Sequence, residues 1–272
     1  MKKIFYSFLI SSIALLISSC QPDNFPLPQE TIRGKIIDAA TGELVLTDQG
    51  SEGTRIRLRE LSWTETPTPT PFDFMCMKEG IYQNTKIFKG RYNVRVDGAF
   101  IPLVRLNNKG DTLANETKTV EISGVTEVDF QVQPFLKVEW VDRPTVDNAG
   151  NIKAKVKVTR AVSRADFRAK IEPMGNYSED FLNVTDIQFL VSESPYVGYR
   201  TSHGDGRRAQ YNYAGNSFEP LLGTPIEVAS KVSTGANISG RTVFVRAAAR
   251  INYATEGVKR WNYNEAIRID VP

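Results

Sequence analysis

Histidine and cysteine are almost missing from this chain of 272 residues: it has one histidine, His203, and two cysteines, Cys20 and Cys76. A disulfide framework or a thiolate metal cluster needs more sulfur than that. Zinc needs several His, Cys or carboxylate ligands at hairpin or helix spacing, which one histidine does not supply. The glycine fingerprint of dinucleotide sites and the P-loop are also absent, and the expected cofactor complement is none. Charge of one sign is lacking too, with 34 Lys and Arg against 31 Asp and Glu. Setting aside Lys2 and Lys3 leaves the remainder close to neutral, so bulk charge draws it neither to nucleic acid nor to anionic lipid. The apolar run over residues 4–16 is shorter than the roughly 20 residues that a bilayer-spanning helix requires.

That run does have a use. Lys2 and Lys3 precede it and Ile17-Ser18-Ser19-Cys20 closes it, the layout of a secretory signal over residues 1–19 ending in a lipobox. Small residues at Ser18 and Ser19 let a peptidase reach the bond before Cys20, whose thiol takes a diacylglycerol and whose freed amine takes a third chain. The expectation is a lipid anchor at Cys20 in the outer membrane. Gln21 stands where an aspartate would retain a lipoprotein in the inner membrane, and Asp23 and Asn24 point to the cell surface. Pro22, Pro26 and Pro28 keep residues 20–30 out of helix and sheet, an extended tether of at most roughly 35 Å.

The length beyond the signal suits two domains, and 41% hydrophobic residues can build their cores. The expected boundaries are 31–132 and 133–272, with Gln133-Pro134 at the junction. Ile32, Gly34 and Ile36 alternate with Arg33, Lys35 and Ile37. Ile56 and Leu58 point inward while Arg55, Arg57 and Arg59 form a solvated face, and Tyr92, Val94 and Val96 repeat the pattern. Residues 66–71 alternate threonine and proline and read as a polyproline-like loop. Cys76, in the apolar run over 72–77, reads as a small buried hydrophobe rather than a nucleophile.

The second half restarts with Ile152, Ala154, Val156 and Val158 alternating with Lys153, Lys155 and Lys157, after a polar turn at residues 147–151 whose few carboxylates do not make a calcium loop. Residues 161–174 leave room for a turn or two of helix. Val243, Val245, Ala247 and Ala249 alternate with Phe244, Arg246 and Ala248, and Ile267, Ile269 and Val271 finish the chain. The fold class is mostly β, two antiparallel sandwiches in tandem.

Gly34-Lys35-Ile36-Ile37-Asp38, Thr41-Gly42-Glu43 and Phe88-Lys89-Gly90-Arg91-Tyr92-Asn93-Val94 resemble the carboxypeptidase-regulatory-like, transthyretin-type sandwich. Residues 243–249 with Trp261-Asn262-Tyr263-Asn264-Glu265 resemble the closing hairpin of fibronectin type III or immunoglobulin-like domains. The wider string, from Asp23-Asn24-Phe25 through Ser62-Trp63 to Asn84-Thr85-Lys86, is similar to a two-domain Bacteroidetes lipoprotein family of unknown function, encoded beside starch-utilisation-type uptake systems. The resemblance implies a location and a functional neighbourhood; it carries over no site residue.

Catalysis finds little footing. Ser202, His203 and Asp205 are too close in one glycine-rich loop to form the triangle of a triad, and a glycoside hydrolase would need two carboxylates flanking a groove. Residues 196–213 read as a loop carrying Tyr199, Arg200, His203, Arg207, Tyr211 and Tyr213, whose rings can stack on sugar faces and whose cations can hydrogen-bond hydroxyls. Trp261 is divided between this ligand role and the core; Trp140 reads as core. The expectation is a non-enzymatic accessory in glycan capture whose partners are the membrane, polysaccharide and an outer-membrane transporter complex. The alternative is a docking module with no small ligand, which would show an apolar patch instead of grouped aromatics.

Overall fold

The computed structural model describes residues 26–62, 68–147, 150–199, 208–230, 238 and 240–272. Cys20 and the expected signal over residues 1–19, Trp63, Arg200, His203 and Arg207 lie outside the described residues.

The first body holds β1 (Glu30–Asp38), β2 (Arg55–Glu60), β3 (Phe72–Met75), β4 (Ile81–Ile87), β5 (Gly90–Asp97), β6 (Val104–Leu106), β7 (Thr112–Asn115), β8 (Lys118–Ile122), β9 (Val125–Glu127) and β10 (Phe130–Val132). One sheet runs β3-β2-β5-β8; in the other, β1 pairs antiparallel with β4 and parallel with β9 and then β10; β6 and β7 form a separate hairpin. Alternation predicted the inward faces: Ile32, Ile36, Ile56, Leu58, Tyr92, Val94 and Val96 are all buried in one core. Gly34 sits in β1 opposite Tyr82, whose hydroxyl crosses it to donate to the Val128 carbonyl.

The arginine face of β2 is not simply solvated. Arg57 makes a two-pronged pair with Asp73 at 2.7 and 2.8 Å, which holds that carboxyl below its usual range. Arg55 reaches buried Asp97 at 2.7 Å, and Arg95 joins from β5 at 2.8 Å. Alternation could not foresee this, because the acidic partners come from other strands.

Cys76 is fully buried, its thiol donates to the Ile81 carbonyl at 3.0 Å, and burial pushes its ionisation up to about 12. The native protein should therefore resist thiol-reactive disulfide reagents at pH 8 and react fully in denaturant; fast labelling of the folded chain at Cys76 would contradict its burial.

The second body holds β11 (Leu136–Trp140), β12 (Thr145–Val146), β13 (Ile152–Arg160), α1 (Arg164–Ile171), β14 (Val184–Ser192), β15 (Ala209–Asn212), β16 (Pro225–Ala229), β17 (Thr242–Ile251), β18 (Asn262–Tyr263) and β19 (Ile267–Asp270). β13 pairs with β11 and β12 along one edge and β16 along the other; the facing sheet runs β15-β14-β17, with β18 and β19 both on β17. Helix α1 lies in the stretch that was ambiguous in sequence. Ser163 caps it by accepting from Asp166 N at 3.0 Å, and it buries Phe167 and Ile171. Eight residues are too few for a helix to persist alone, so the edge-on packing of Phe167 on Phe135 and Tyr253 sustains it.

The largest departure from the alternation pattern is in β17. Val243, Val245, Ala247 and Ala249 face the core of the second sandwich as expected, but Arg246 and Ala248 on the opposite face are buried as well. That face is covered by the first body: Ala248, Leu190, Val197, Trp261 and Tyr263 form a third cluster with Leu46. Buried Arg246 donates to the carbonyls of Asn264 at 2.7 Å, Thr47 at 2.7 Å, Val197 at 3.3 Å and Lys78 at 3.2 Å, and lies 4.5 Å over the Tyr263 ring. Burial lowers its ionisation to about 10, which leaves it charged at neutral pH. Burial also pushes the Tyr263 phenol well above its usual range, so a neutral hydroxyl donates to Asp48 at 3.2 Å. Arg260 donates to the carbonyls of Ser51 and Gly53 from the same side. At the edge of this junction Glu256 adopts φ 52°, with its carboxylate paired to Arg95 at 2.5 Å.

Candidate functional site

The sequence groups Tyr199, Tyr211 and Tyr213 in one loop, and the fold divides them among three places. Residues 209–212 form strand β15, which hydrogen-bonds to β14, so Tyr211 is a strand residue rather than a loop residue. Tyr199, upstream of that strand, stacks on Trp261 with ring centroids 5.9 Å apart and planes 27° from parallel. Arg208 sits 4.9 Å over the Tyr199 ring and Arg250 sits 4.4 Å over Trp261. Arg250 is itself held by Asp186 at 2.8 Å. Burial opposes ionisation of Asp186, but the hydrogen bonds from Arg250 and Gln210 together with the Arg250 charge keep its carboxyl below the usual range. The column cation, ring, ring, cation is closed on itself. Trp261 is 1% exposed, so its place is the junction between the bodies and it presents no face to a ligand. Tyr199 is half-buried and keeps its backbone N–H on Asp48 at 2.9 Å.

Tyr213 packs edge-on against Phe218 at 4.7 Å, and burial raises its phenol; it lies partly buried against the core of the second sandwich. Trp140 packs edge-on against Phe189 and donates to the Glu265 carbonyl at 2.9 Å, in keeping with a core role.

Tyr211 packs against the same core and also reaches the surface. Its hydroxyl crosses to β16, accepting from Ala229 N at 2.9 Å, and its ring helps line a groove of about 510 Å³. Asp142, Arg143, Lys153, Lys155 and Glu227 supply the charged lining. The groove exists because the chain bulges out between β11 and β12: after Val141 N bonds to the Lys155 carbonyl, residues 142–144 leave the ladder and rejoin it at Thr145 opposite Lys153. Arg143 is steadied by donating to the Arg268 carbonyl at 3.0 Å. Lys155 and Glu227, paired across β13 and β16, meet at 4.0 Å, and Lys153 meets Asp147 at 3.4 Å. Such loose, exposed pairs exchange partners at little cost, so their donors and acceptors can turn to a polar ligand while Tyr211 offers an apolar surface. Among the described residues no group of three or more His, Cys, Asp or Glu is placed to hold a metal ion.

Of the sequence-based candidates, then, Tyr211 reaches the groove, Tyr199 and Trp261 lie in the stacked column, and Tyr213 packs against the core. Asp142, Arg143, Lys153, Lys155 and Glu227 were not singled out. The lysines did show, as the polar phase of β13, but their convergence with residues 142–143 and 227 depends on strand pairing that alternation does not encode.

Comparison with known proteins is consistent with this two-body fold. Residues 30–133 match the family described as protein of unknown function (DUF3823), N-terminal domain. A crystal structure of a DUF3823 family protein from Bacteroides uniformis is 55% identical over 90% of this chain and 100% of its own, with a TM-score of 0.84. A family member from Parabacteroides merdae shares the fold at 14% identity, covering 90% of this chain and 100% of its own, with a TM-score of 0.57. A second Bacteroides uniformis protein, named provisionally for carbohydrate binding, shares the fold at 20% identity with the same coverage and a TM-score of 0.62. No curated protein matches the chain. Identity above half across nearly the full length, together with the family match over the first body, settles its kinship: the chain belongs to the DUF3823 family.

Proposed function

We propose that this protein is a non-enzymatic, lipid-anchored component of the outer membrane that binds polysaccharide as an accessory to glycan capture, with the groove beside Tyr211 as its binding seat. The observation that carries the reading is the groove itself: one aromatic ring, two carboxylates and three cations converge around a space of about 510 Å³. Sugar rings ask for an apolar face flanked by such donors and acceptors. The fold shared with a protein provisionally named for carbohydrate binding supports the same reading. The lipobox at Cys20 supplies the anchor; at roughly 0.8 kcal/mol per buried methylene, acyl chains at that residue hold the protein on its membrane.

Affinity electrophoresis of the protein through gels containing a panel of polysaccharides, with a reducing-sugar assay on the same samples, tests this. Retardation by one polysaccharide class without new reducing ends is expected. The double variant K155A/E227A removes two exposed hydrogen-bonding groups and should weaken that retardation about tenfold, in line with roughly 1.5 kcal/mol for a charged hydrogen bond, while K137A, outside the groove, should leave it unchanged. Silence across a broad panel would shift the assignment to a docking module, and released reducing ends would make the protein an enzyme.

A further inference from the structure

We propose that the end of the first sandwich at which the tether enters is a lipid-contacting surface, seated on the headgroups of the bilayer that holds the acyl chains; this rests on the lipoprotein reading of Cys20. The strand registers define two ends of this sandwich. Glu30 pairs with Ile87, Thr31 with Val125, Glu60 with Tyr92 and Gly90 with Ile122, so the start of β1, the end of β2 and the turns from β4 to β5 and from β8 to β9 share one end. Arg55, Asp97, Met75 and Lys118 lie toward the other.

The two ends are finished differently. At the far end Thr47, Ser51, Gly53 and Lys78 accept hydrogen bonds from Arg246 and Arg260, so the second body closes it. At the tether end large apolar side chains stand in the open: Leu27 is 75% exposed, Val125 64%, Phe72 48%, Phe88 45% and Leu61 42%. Strand register and main-chain contacts place them at this end, whereas the exposed apolar residues toward the other end, Leu44, Met77 and Ile81, are each 37–38% exposed. Leu61 N donates to the Arg91 carbonyl, the Tyr92 hydroxyl donates to the Phe88 carbonyl, and Thr31 N donates to the Gly124 carbonyl beside Val125. Exposed apolar residues gathered at one place mark an interaction surface. What covers this one follows from the chain: only ten residues, 21–30, separate Cys20 from the end of the tether, so a bilayer holding Cys20 lies within roughly 35 Å of these side chains. Exposed Lys86 and Lys89 flank Phe88 and can extend their ammonium groups to lipid phosphates while the ring enters the apolar boundary.

The test uses the full acylated chain reconstituted in phospholipid vesicles, with an environment-sensitive fluorophore on single introduced cysteines in L61C, F88C and V125C, and on E227C in the second body as the control. Native Cys76 is buried and stays unlabelled. Blue-shifted emission at the three positions, with quenching by doxyl-labelled lipid several-fold above that at E227C, is the expected result. Equal behaviour at all four positions, with acyl chains on Cys20 confirmed by mass spectrometry, would overturn the lipid seat and leave the anchor standing. A blue shift without doxyl quenching would mean contact between copies of the chain and would also overturn it. Absence of the acyl mass would remove the anchor and the seat together.

Discussion

Arg246→Ala is expected to cost about 3–5 kcal/mol of stability, the sum of several buried carbonyls left without a donor and the cavity of a large side chain. The wild-type guanidinium reaches four carbonyls, two from the first body and two from the second, and lies over the Tyr263 ring. Alanine leaves the Thr47, Val197 and Asn264 carbonyls with unmet acceptors, while that of Lys78 keeps the Thr47 N–H, and it opens a void the length of the side chain. R246K, a point charge in place of a planar fork, should recover only part of the loss. Urea unfolding followed by tryptophan fluorescence reads both variants, since Trp261 lies in the same cluster. A midpoint for R246A close to the wild type would show that the two bodies do not depend on this contact.

Gly34→Ala should destabilise the first sandwich nearly as much, by about 3 kcal/mol, the upper part of the usual range for overpacking a core. A Cβ at this position would lie 2.7 Å from the Val128 carbonyl carbon and 2.8 Å from Tyr82 Cζ. The backbone on one side cannot yield without breaking the junction of β1 with the chain leading into β10. The ring on the other cannot yield without losing its hydrogen bond to Val128. Y82F separates the two effects: it removes the hydrogen bond alone and should cost about 1 kcal/mol. If thermal melting shows G34A no worse than Y82F, the close packing of ring on glycine is not what holds the strand.

Where a strand has one wet face, the sequence is a faithful guide. Ile32 and Ile36, Ile56 and Leu58, and Val156 and Val158 are buried as period-two alternation requires. The same rule fails at β17, where it sends Arg246 to solvent, because the rule assumes that the outer face meets water. Here it meets another sandwich, and Arg246 is tolerated inside only because carbonyls distant in sequence wait for it. Trp261 was undecided for the same reason: exposure at a junction depends on a partner surface that no local window contains. The groove was the least legible feature. Tyr211 was visible as an aromatic in a polar stretch, but Asp142, Lys155 and Glu227 become neighbours only through the pairing of β13 with two strands and the bulge between β11 and β12.

The junction also sets an order of events in folding. Thr47 and Arg246 are separated by 199 positions along the chain, and Ser51 and Arg260 by 209. Contacts so remote must meet a large loop-closure cost before they reward it, which places the protein among chains that fold over milliseconds to seconds rather than microseconds. Within the first sandwich, Lys35 of β1 finds Asp129 only 94 positions later. The earliest part of the chain to be synthesised is thus among the last to be completed, and the loop from Thr47 to Gly53 acquires its arginine partners only when β17 and β18 have been made.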